Sequence, residues 1–162
     1  MELMELLVEP AYRHMLLNHV PIVGLCVALL VLLTGLVVRQ SALLFTGLGL
    51  VALTAGTSLP VARYGDAAYP AVYEILDGHG RNWLDYHTEL AEFWLPLLYA
   101  NAVVAVIALL LGILRAGILP WAALVVALFT FAGIGGAGAV AWAGGKIQHP
   151  EFRLSDPPLV GK

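Results

Sequence analysis

Histidines are the residues of this chain best suited to bind a cofactor. The sequence has five histidines and a single cysteine. Neutral imidazole is the usual protein ligand of haem, copper and zinc, and a b-type haem needs only one histidine from each of two facing helices. The pattern therefore favours a haem with two axial histidines. The five residues are His14, His19, His79, His87 and His149.

The elements that position these histidines are apolar helices. The chain has 162 residues, of which 60% are hydrophobic and only 12% charged. Four long stretches lack Asp, Glu, Lys and Arg, and about 20 apolar residues suffice to cross a bilayer. The sequence thus predicts an all-α integral membrane four-helix bundle in one domain, 1–162. Its predicted parts are spans at about 14–38, 41–62, 84–114 and 117–144, an extramembrane loop at 63–83, and a tail at 145–162.

The predicted loop contains signals for a helix of its own. Pro70 suits a first helical position and Gly78 suits a position just past a helix end. An apolar stripe between them is typical of a helix that lies on the membrane surface. We therefore expect a short interfacial helix between spans 2 and 3, and a third span that starts near Asn82 or Trp83.

Charge separates the two ends of the bundle. The two short turns carry Arg39 and Arg115 and no acid, whereas the other end carries six basic residues against all eleven acids. Basic residues in short loops stay in the cytoplasm. This favours N-out and C-out in a bacterial inner membrane. Because the eight basic residues are outnumbered and scattered, no nucleic-acid partner is expected.

Helix geometry limits which histidines can meet. The folded topology places all five at the same end, and His14, His87 and His149 can meet in one layer, with His19 roughly two turns deeper. His14 and His19 are separated by about 140° around a helix, so they should serve different centres. His14 shares its face with Asn18. The candidate ligands are therefore His14, His19, His87 and His149, which leaves His79 as the poorest candidate.

Basic residues at the same end could pair with haem propionates. Arg13, Arg81, Lys146 and Arg153 are available there, and arginine is well suited to bind carboxylates. Small residues in the fourth span, such as Gly133 and Gly136, would make room for a flat ring. Asp85, Glu89 and Glu92 share one helical face, which suits either a solvated surface or a docking patch for a basic partner such as a small cytochrome.

Three motifs resemble a known family. They are His14-Met-Leu-Leu-Asn-His19-Val-Pro-Ile-Val-Gly24, Tyr86-His87-Thr-Glu-Leu-Ala, and Gly144-Gly145-Lys-Ile-Gln-His149. They are similar to motifs of the small four-helix bacterial membrane proteins grouped as domain of unknown function 2231. The resemblance implies haem binding and electron transport, and it points to His19, His87 and His149. The family often has glycine after its last histidine, where this chain has Pro150.

These observations predict a membrane b-type cytochrome, an electron-transfer subunit rather than a stand-alone enzyme, with one or two haems near the outer face. Two haems would use His14 and His19 separately, whereas one haem needs only two histidines. The alternatives are a copper- or other metal-binding membrane protein that uses the same histidines, and a structural anchor of a larger membrane redox complex. Expected partners are the lipid bilayer, other membrane subunits, and a quinone or periplasmic cytochrome.

Overall fold

The computed structural model describes residues 3–158, and all of its regular structure within that range is helical. The helices are α1 (Leu3–Val8), α2 (Pro10–Leu17), α3 (His19–Val38), α4 (Ser41–Gly56), α5 (Ser58–Ile75), α6 (Gly78–Leu114) and α7 (Leu119–Ile147). Short 3₁₀ turns lie at Ala116–Ile118 and Pro150–Phe152. The predicted all-α fold is confirmed.

Four helical segments are long and apolar enough to cross a membrane, which makes this a multi-pass membrane protein in contact with lipid. They cover Pro10–Val38, Ser41–Ile75, Gly78–Leu114 and Ala116–Ile147. The turns at Arg39 and Arg115 lie where the charges predicted them. Arg39 adopts a left-handed conformation with φ 54°, and the backbone N–H of Gln40 donates to the carbonyl of Gly35. The chain reverses there within two residues.

The bundle core lies between α3, α4, α6 and α7. The most extensive packing joins α6 to α7, α3 to α4, and α4 to α6. Buried leucine, valine and alanine side chains such as Leu25, Leu48 and Val126 fill this core. Gly47 lets α3 approach α4 closely, because a Cβ at this position would lie 2.7 Å from Leu32.

Two prolines accompany interruptions of the first and second spans at their histidine-bearing end. Proline has no N–H to donate to the carbonyl four residues earlier. α2 ends at Leu17, four residues before Pro21, and α4 ends at Gly56, four residues before Pro60. Both spans are therefore interrupted near one end. Beyond the interruptions α2 packs mainly against α5, so these two helices form a pair apart from α3 and α4.

The connection between spans 2 and 3 differs from the prediction. The expected loop at 63–83 is helical except at Leu76 and Asp77. The helix between the spans starts at Ser58 rather than at Pro70, which lies inside α5 on the exposed side. Gly78 begins α6 instead of ending a helix. The reason is Asp77, whose side chain accepts a 2.5 Å hydrogen bond from the Gly80 N–H and so caps α6.

The segment after α7 folds back onto this α6 cap. The Arg153 guanidinium pairs with the Asp77 carboxylate at 2.8 Å and also donates to the carbonyl of Lys146. The Gly80 N–H and then Arg153 hold the pKa of Asp77 below its usual value. The predicted tail 145–162 is thus partly helical, and Arg153 attaches it to the start of α6. Residues 159–162 lie outside the described residues.

Candidate functional site

The histidine-bearing end of the bundle contains a mostly apolar cavity. Its volume, including the mouth, is about 600 Å³. The cavity lies between the α2–α5 pair on one side and the α6–α7 pair on the other. Two histidines, His14 and His87, line it. The other lining residues are apolar or small and polar, and they include Asn18, Ser58, Trp94 and Ala137.

His14 and His87 face each other across this cavity from α2 and α6. Their ring centroids are 6.2 Å apart and the ring planes cross at 86°. Because a bond from a metal to an imidazole nitrogen is about 2 Å long and the ring centre lies about 1 Å behind the nitrogen, two imidazoles on opposite sides of one ion have centroids roughly 6 Å apart. The observed centroid separation matches this distance.

Each of these rings is held by a backbone carbonyl of a neighbouring helix. His14 Nδ1 lies 2.9 Å from the Val61 carbonyl on α5, and His87 Nδ1 lies 2.9 Å from the Val140 carbonyl on α7. A carbonyl can only accept, so both Nδ1 atoms carry the proton. The tautomer leaves Nε2 of each ring with a free lone pair. Metal-ligating histidines are commonly oriented by this kind of bond.

A glycine accompanies each of these carbonyls. The α5 segment reads Val61-Ala-Arg-Tyr-Gly65 and the α7 segment reads Val140-Ala-Trp-Ala-Gly144. A Cβ at Gly65 would lie 2.9 Å from His14 Nδ1, and a Cβ at Gly144 would lie 3.1 Å from His87 Nδ1. Each imidazole therefore rests on a helix surface that has no side chain at that point.

The two imidazoles are the metal-ligating side chains that line the cavity. Within residues 3–158, no group of three or more His, Cys, Asp or Glu side chains is placed to hold a metal. Zinc sites in proteins usually take three or four protein ligands, whereas a haem brings its own ring nitrogens and needs only axial ligands. Two imidazoles that have free Nε2 atoms match the second requirement.

Two polar atoms in the cavity have no protein partner. Asn18 Oδ1 and Ser58 Oγ are both buried and make no hydrogen bond with the described part of the chain. Both residues line the cavity, and Ser58 is only 2% exposed. They lie at the two interruptions, Asn18 between α2 and α3, and Ser58 at the start of α5. Buried polar groups in proteins normally have a partner.

The other predicted ligands lie outside the cavity. His19 is exposed, and its Nδ1 donates to the Met15 carbonyl one turn earlier. His19 therefore lies on the exposed side of its helix. His149 is exposed and pairs with Glu151 at 2.9 Å. His79, in the first turn of α6, pairs with Asp156. The structure thus brings together two of the four candidate ligands.

The arginines proposed as propionate partners also lie outside the cavity lining. Arg13 donates to the Leu7 carbonyl, and its guanidinium lies over the Tyr64 ring. Arg81 donates to the Tyr73 carbonyl. Arg153, as described above, is held by the α6 cap. Each of these three side chains therefore already has protein partners.

Lys146 likewise has aromatic partners. Its ammonium lies over the rings of Trp83 and Trp142, at 4.3 and 4.0 Å from their centroids. Among the acids of α6, Glu89 and Glu92 are exposed, and Asp85 accepts a 2.5 Å hydrogen bond from the Tyr69 hydroxyl. Glu89 and Glu92 therefore form the exposed part of this acidic face.

The fourth-span glycines make room mainly for side chains of α6. A Cβ at Gly133 would meet Leu98, one at Gly136 would meet the Trp94 ring at 2.5 Å, and one at Gly144 would meet His87. Gly135, Gly138 and Gly145 have open space. Three of these six glycines thus make room for α6 side chains rather than for a bound flat ring.

Sequence reasoning included His14 and His87 among four candidate ligands, but it did not single out the pair and it missed the residues that support it. The shared face of His14 and Asn18 is confirmed, since both line the cavity. Ser58, Val61 and Gly65 were missed because their roles depend on a neighbouring helix. A signal was available in the repeated Val-Ala-x-x-Gly pattern at 61–65 and 140–144.

Comparisons with known proteins give no further assignment. No family model matches the chain, and neither a curated protein nor a solved structure matches it. The functional interpretation therefore depends on the residues of the cavity.

Proposed function

We propose that this protein is a membrane b-type cytochrome-like electron-transfer protein that binds one haem in the cavity, with His14 and His87 as its axial ligands. The observation that carries the proposal is the relationship between the two imidazoles, whose centroids are 6.2 Å apart across the cavity. Both rings have Nε2 free because Nδ1 donates to a carbonyl. The motif resemblance to the domain of unknown function 2231 proteins implies the same cofactor.

The chain's own residues orient the ligands and exclude water. The Val61 and Val140 carbonyls fix the tautomer and direction of each ring, which also raises the basicity of Nε2. Gly65 and Gly144 let the rings lie against the helix backbones. The apolar lining provides the low-dielectric surroundings that tune a haem potential, while the haem supplies the one-electron chemistry.

A single haem is the better supported stoichiometry. A second bis-histidine centre would need His19 and His149, and these two side chains are exposed and bonded to other groups. We therefore propose one haem rather than two. The copper alternative keeps the same two histidines but lacks a third protein ligand among the described residues.

The proposed site lies near one membrane face. With the basic turns at Arg39 and Arg115 in the cytoplasm, the cavity opens toward the outer side of a bacterial inner membrane. A quinone or a periplasmic cytochrome would be the electron donor or acceptor, and other membrane subunits would be partners. A reporter that is active only outside the cytoplasm, fused after Lys162, should give signal; a cytoplasm-only signal would place the site at the inner face.

An absorption spectrum of the purified protein, together with haem and metal analysis, tests the proposal. We expect a strong Soret band that sharpens and shifts on reduction, with about one haem per chain. Bound copper without a Soret band would show that the two histidines bind a metal ion and not haem, which is the metal-binding alternative. Protein that binds neither, even when haem is supplied, would favour the structural anchor.

A further inference from the structure

The unpartnered atoms of Asn18 and Ser58 point to a polar group on the molecule that fills the cavity. Leaving a buried acceptor or hydroxyl without a partner costs free energy comparable to a lost hydrogen bond. Asn18 follows His14 by one turn of the first span. Ser58 precedes Val61 by one turn of α5, and the Val61 carbonyl is the group that accepts from His14 Nδ1. Both polar atoms therefore lie on the His14 side of the cavity.

The charge of the lining restricts what that polar group can be. None of the described residues that line the cavity is a lysine or arginine. A carboxylate would lose its hydration there without gaining a cation, which is costly, so a carboxyl group would be held in its neutral form. A neutral carboxyl group has one O–H donor and one carbonyl acceptor. Asn18 Oδ1 and the Ser58 hydroxyl can satisfy both.

We infer that Asn18 and Ser58 form a hydrogen-bonding subsite for a protonated carboxyl group of the occupant. The inference rests on the proposed function, in which the occupant is a haem and the group is one of its propionic acid side chains. Asn18 Oδ1 accepts from the carboxyl O–H, and the Ser58 hydroxyl donates to the carboxyl C=O. Arg13, Arg81 and Arg153, which have their own partners, do not take this role.

Haem esters test this subsite. The dimethyl ester of haem keeps the ring, the iron and the carbonyl acceptors but has no carboxyl O–H to donate. Full-length protein produced under haem limitation and purified in detergent is titrated with haem and with the dimethyl ester, and binding is followed by the Soret band. We expect wild type to bind haem about tenfold more tightly than the ester, the effect of one buried hydrogen bond.

Variants test the two residues separately. In Asn18→Leu the ratio of the two affinities should fall toward one. In Ser58→Ala both affinities should fall while their ratio keeps the wild-type value, because the ester retains the carbonyl to which Ser58 donates. The bis-histidine spectrum should stay unchanged in both variants. Thr34→Ala is the matched control, because Thr34 is an exposed threonine whose hydroxyl bonds only its own helix at Leu30. This control should keep the wild-type ratio. Since each protein is compared with itself, a general loss of stability does not alter the ratio.

The outcomes separate this inference from the proposed function. If wild type binds haem and ester equally well, if Asn18→Leu keeps the wild-type ratio, or if Ser58→Ala binds both compounds as tightly as wild type, the subsite assignment is overturned and the haem proposal stands. If wild type binds neither compound, the proposed function itself fails. If the preference for free haem disappears in Arg13→Gln but persists in Asn18→Leu, Arg13 rather than Asn18 binds the carboxyl group, and the subsite assignment is overturned.

Discussion

Gly65 and Gly144 occupy equivalent positions in the two helix pairs that enclose the cavity. Each lies four residues after the valine whose carbonyl holds a cavity histidine, and a Cβ at either position would lie only 2.9–3.1 Å from that histidine's ring. The two imidazoles are therefore supported in the same way from two different helices. One consequence is that the ring positions depend on backbone contacts, which a single methyl group can disturb.

Alanine at either glycine should weaken haem binding. The new Cβ of Gly144→Ala would lie 3.1 Å from His87 Cε1 and Nδ1, and that of Gly65→Ala 2.9 Å from His14 Nδ1. We expect the ring to move from its carbonyl, with a loss of about 1 kcal/mol and a roughly fivefold lower haem affinity. Titration of the purified variants with haem measures this.

Gly138→Ala is the control for this prediction. A Cβ there has no atom within 4 Å, so the substitution should leave haem affinity unchanged. It should also stabilise α7 by about 0.5–1 kcal/mol through helix propensity. If Gly144→Ala and Gly138→Ala bind haem equally well, the role assigned to Gly144 is wrong.

A buried polar pair should couple α6 to α7 in the bundle core. Asn101 and Thr130 are both fully buried, and Asn101 Nδ2 donates to Thr130 Oγ1 at 3.2 Å. Thr130 also donates to the Val126 carbonyl of its own helix. A double-mutant cycle with Asn101→Leu and Thr130→Val should give a coupling of about 0.6–1.7 kcal/mol, as for other interhelical hydrogen bonds in membranes.

The cycle is measured by reversible unfolding in mixed micelles. Asn101→Leu alone should destabilise the protein, since Thr130 Oγ1 loses its interhelical partner. Additive effects of the two substitutions would show that the pair does not hold α6 and α7 together.

Acid should release the segment after α7 from the α6 cap. The Gly80 N–H, and next Arg153, lower the pKa of Asp77, with a further contribution from nearby His79. A carboxyl group with a pKa lowered by folding stabilises the protein above its unfolded pKa, near 4, and this contribution is lost as pH falls through the folded value. Wild type should therefore lose stability relative to Asp77→Asn below about pH 4.

Denaturant unfolding of both proteins from pH 7 to pH 3 checks the sign. Asp77→Asn keeps a capping side chain but carries no titrating carboxylate at this position, so it is the matched control. A stability difference that is the same at pH 7 and at pH 3 would contradict the assignment.

The sequence predicted the fold well because the strongest signals were local. The charge-free stretches and the arginines at residues 39 and 115 located the helices and two turns. The connection between spans 2 and 3 was predicted poorly, because proline can lie at the start of a helix or inside it, and glycine can follow the end of a helix or begin the next one. Pro70 is tolerated on the exposed side of α5, and Gly78 follows the capping residue Asp77.

The candidate site was predicted only in part, for a reason that lies in packing. Helix periodicity separated His14 from His19 but could not say which of them faces the bundle interior. His19 meets its own helix's Met15 carbonyl, whereas His14 reaches Val61 on another helix. Contacts of the second kind join residues far apart in the chain, so the helix periodicity around His14 does not reveal them.

The most direct test of the account is haem binding by four single variants. His14→Ala and His87→Ala remove the proposed axial ligands, and His19→Ala and His149→Ala remove exposed histidines that lie outside the cavity. The predicted result is about one haem per chain in wild type, His19→Ala and His149→Ala, and loss of the bis-histidine spectrum in His14→Ala and in His87→Ala. Unchanged reduced spectra in the His14 and His87 variants would contradict the account.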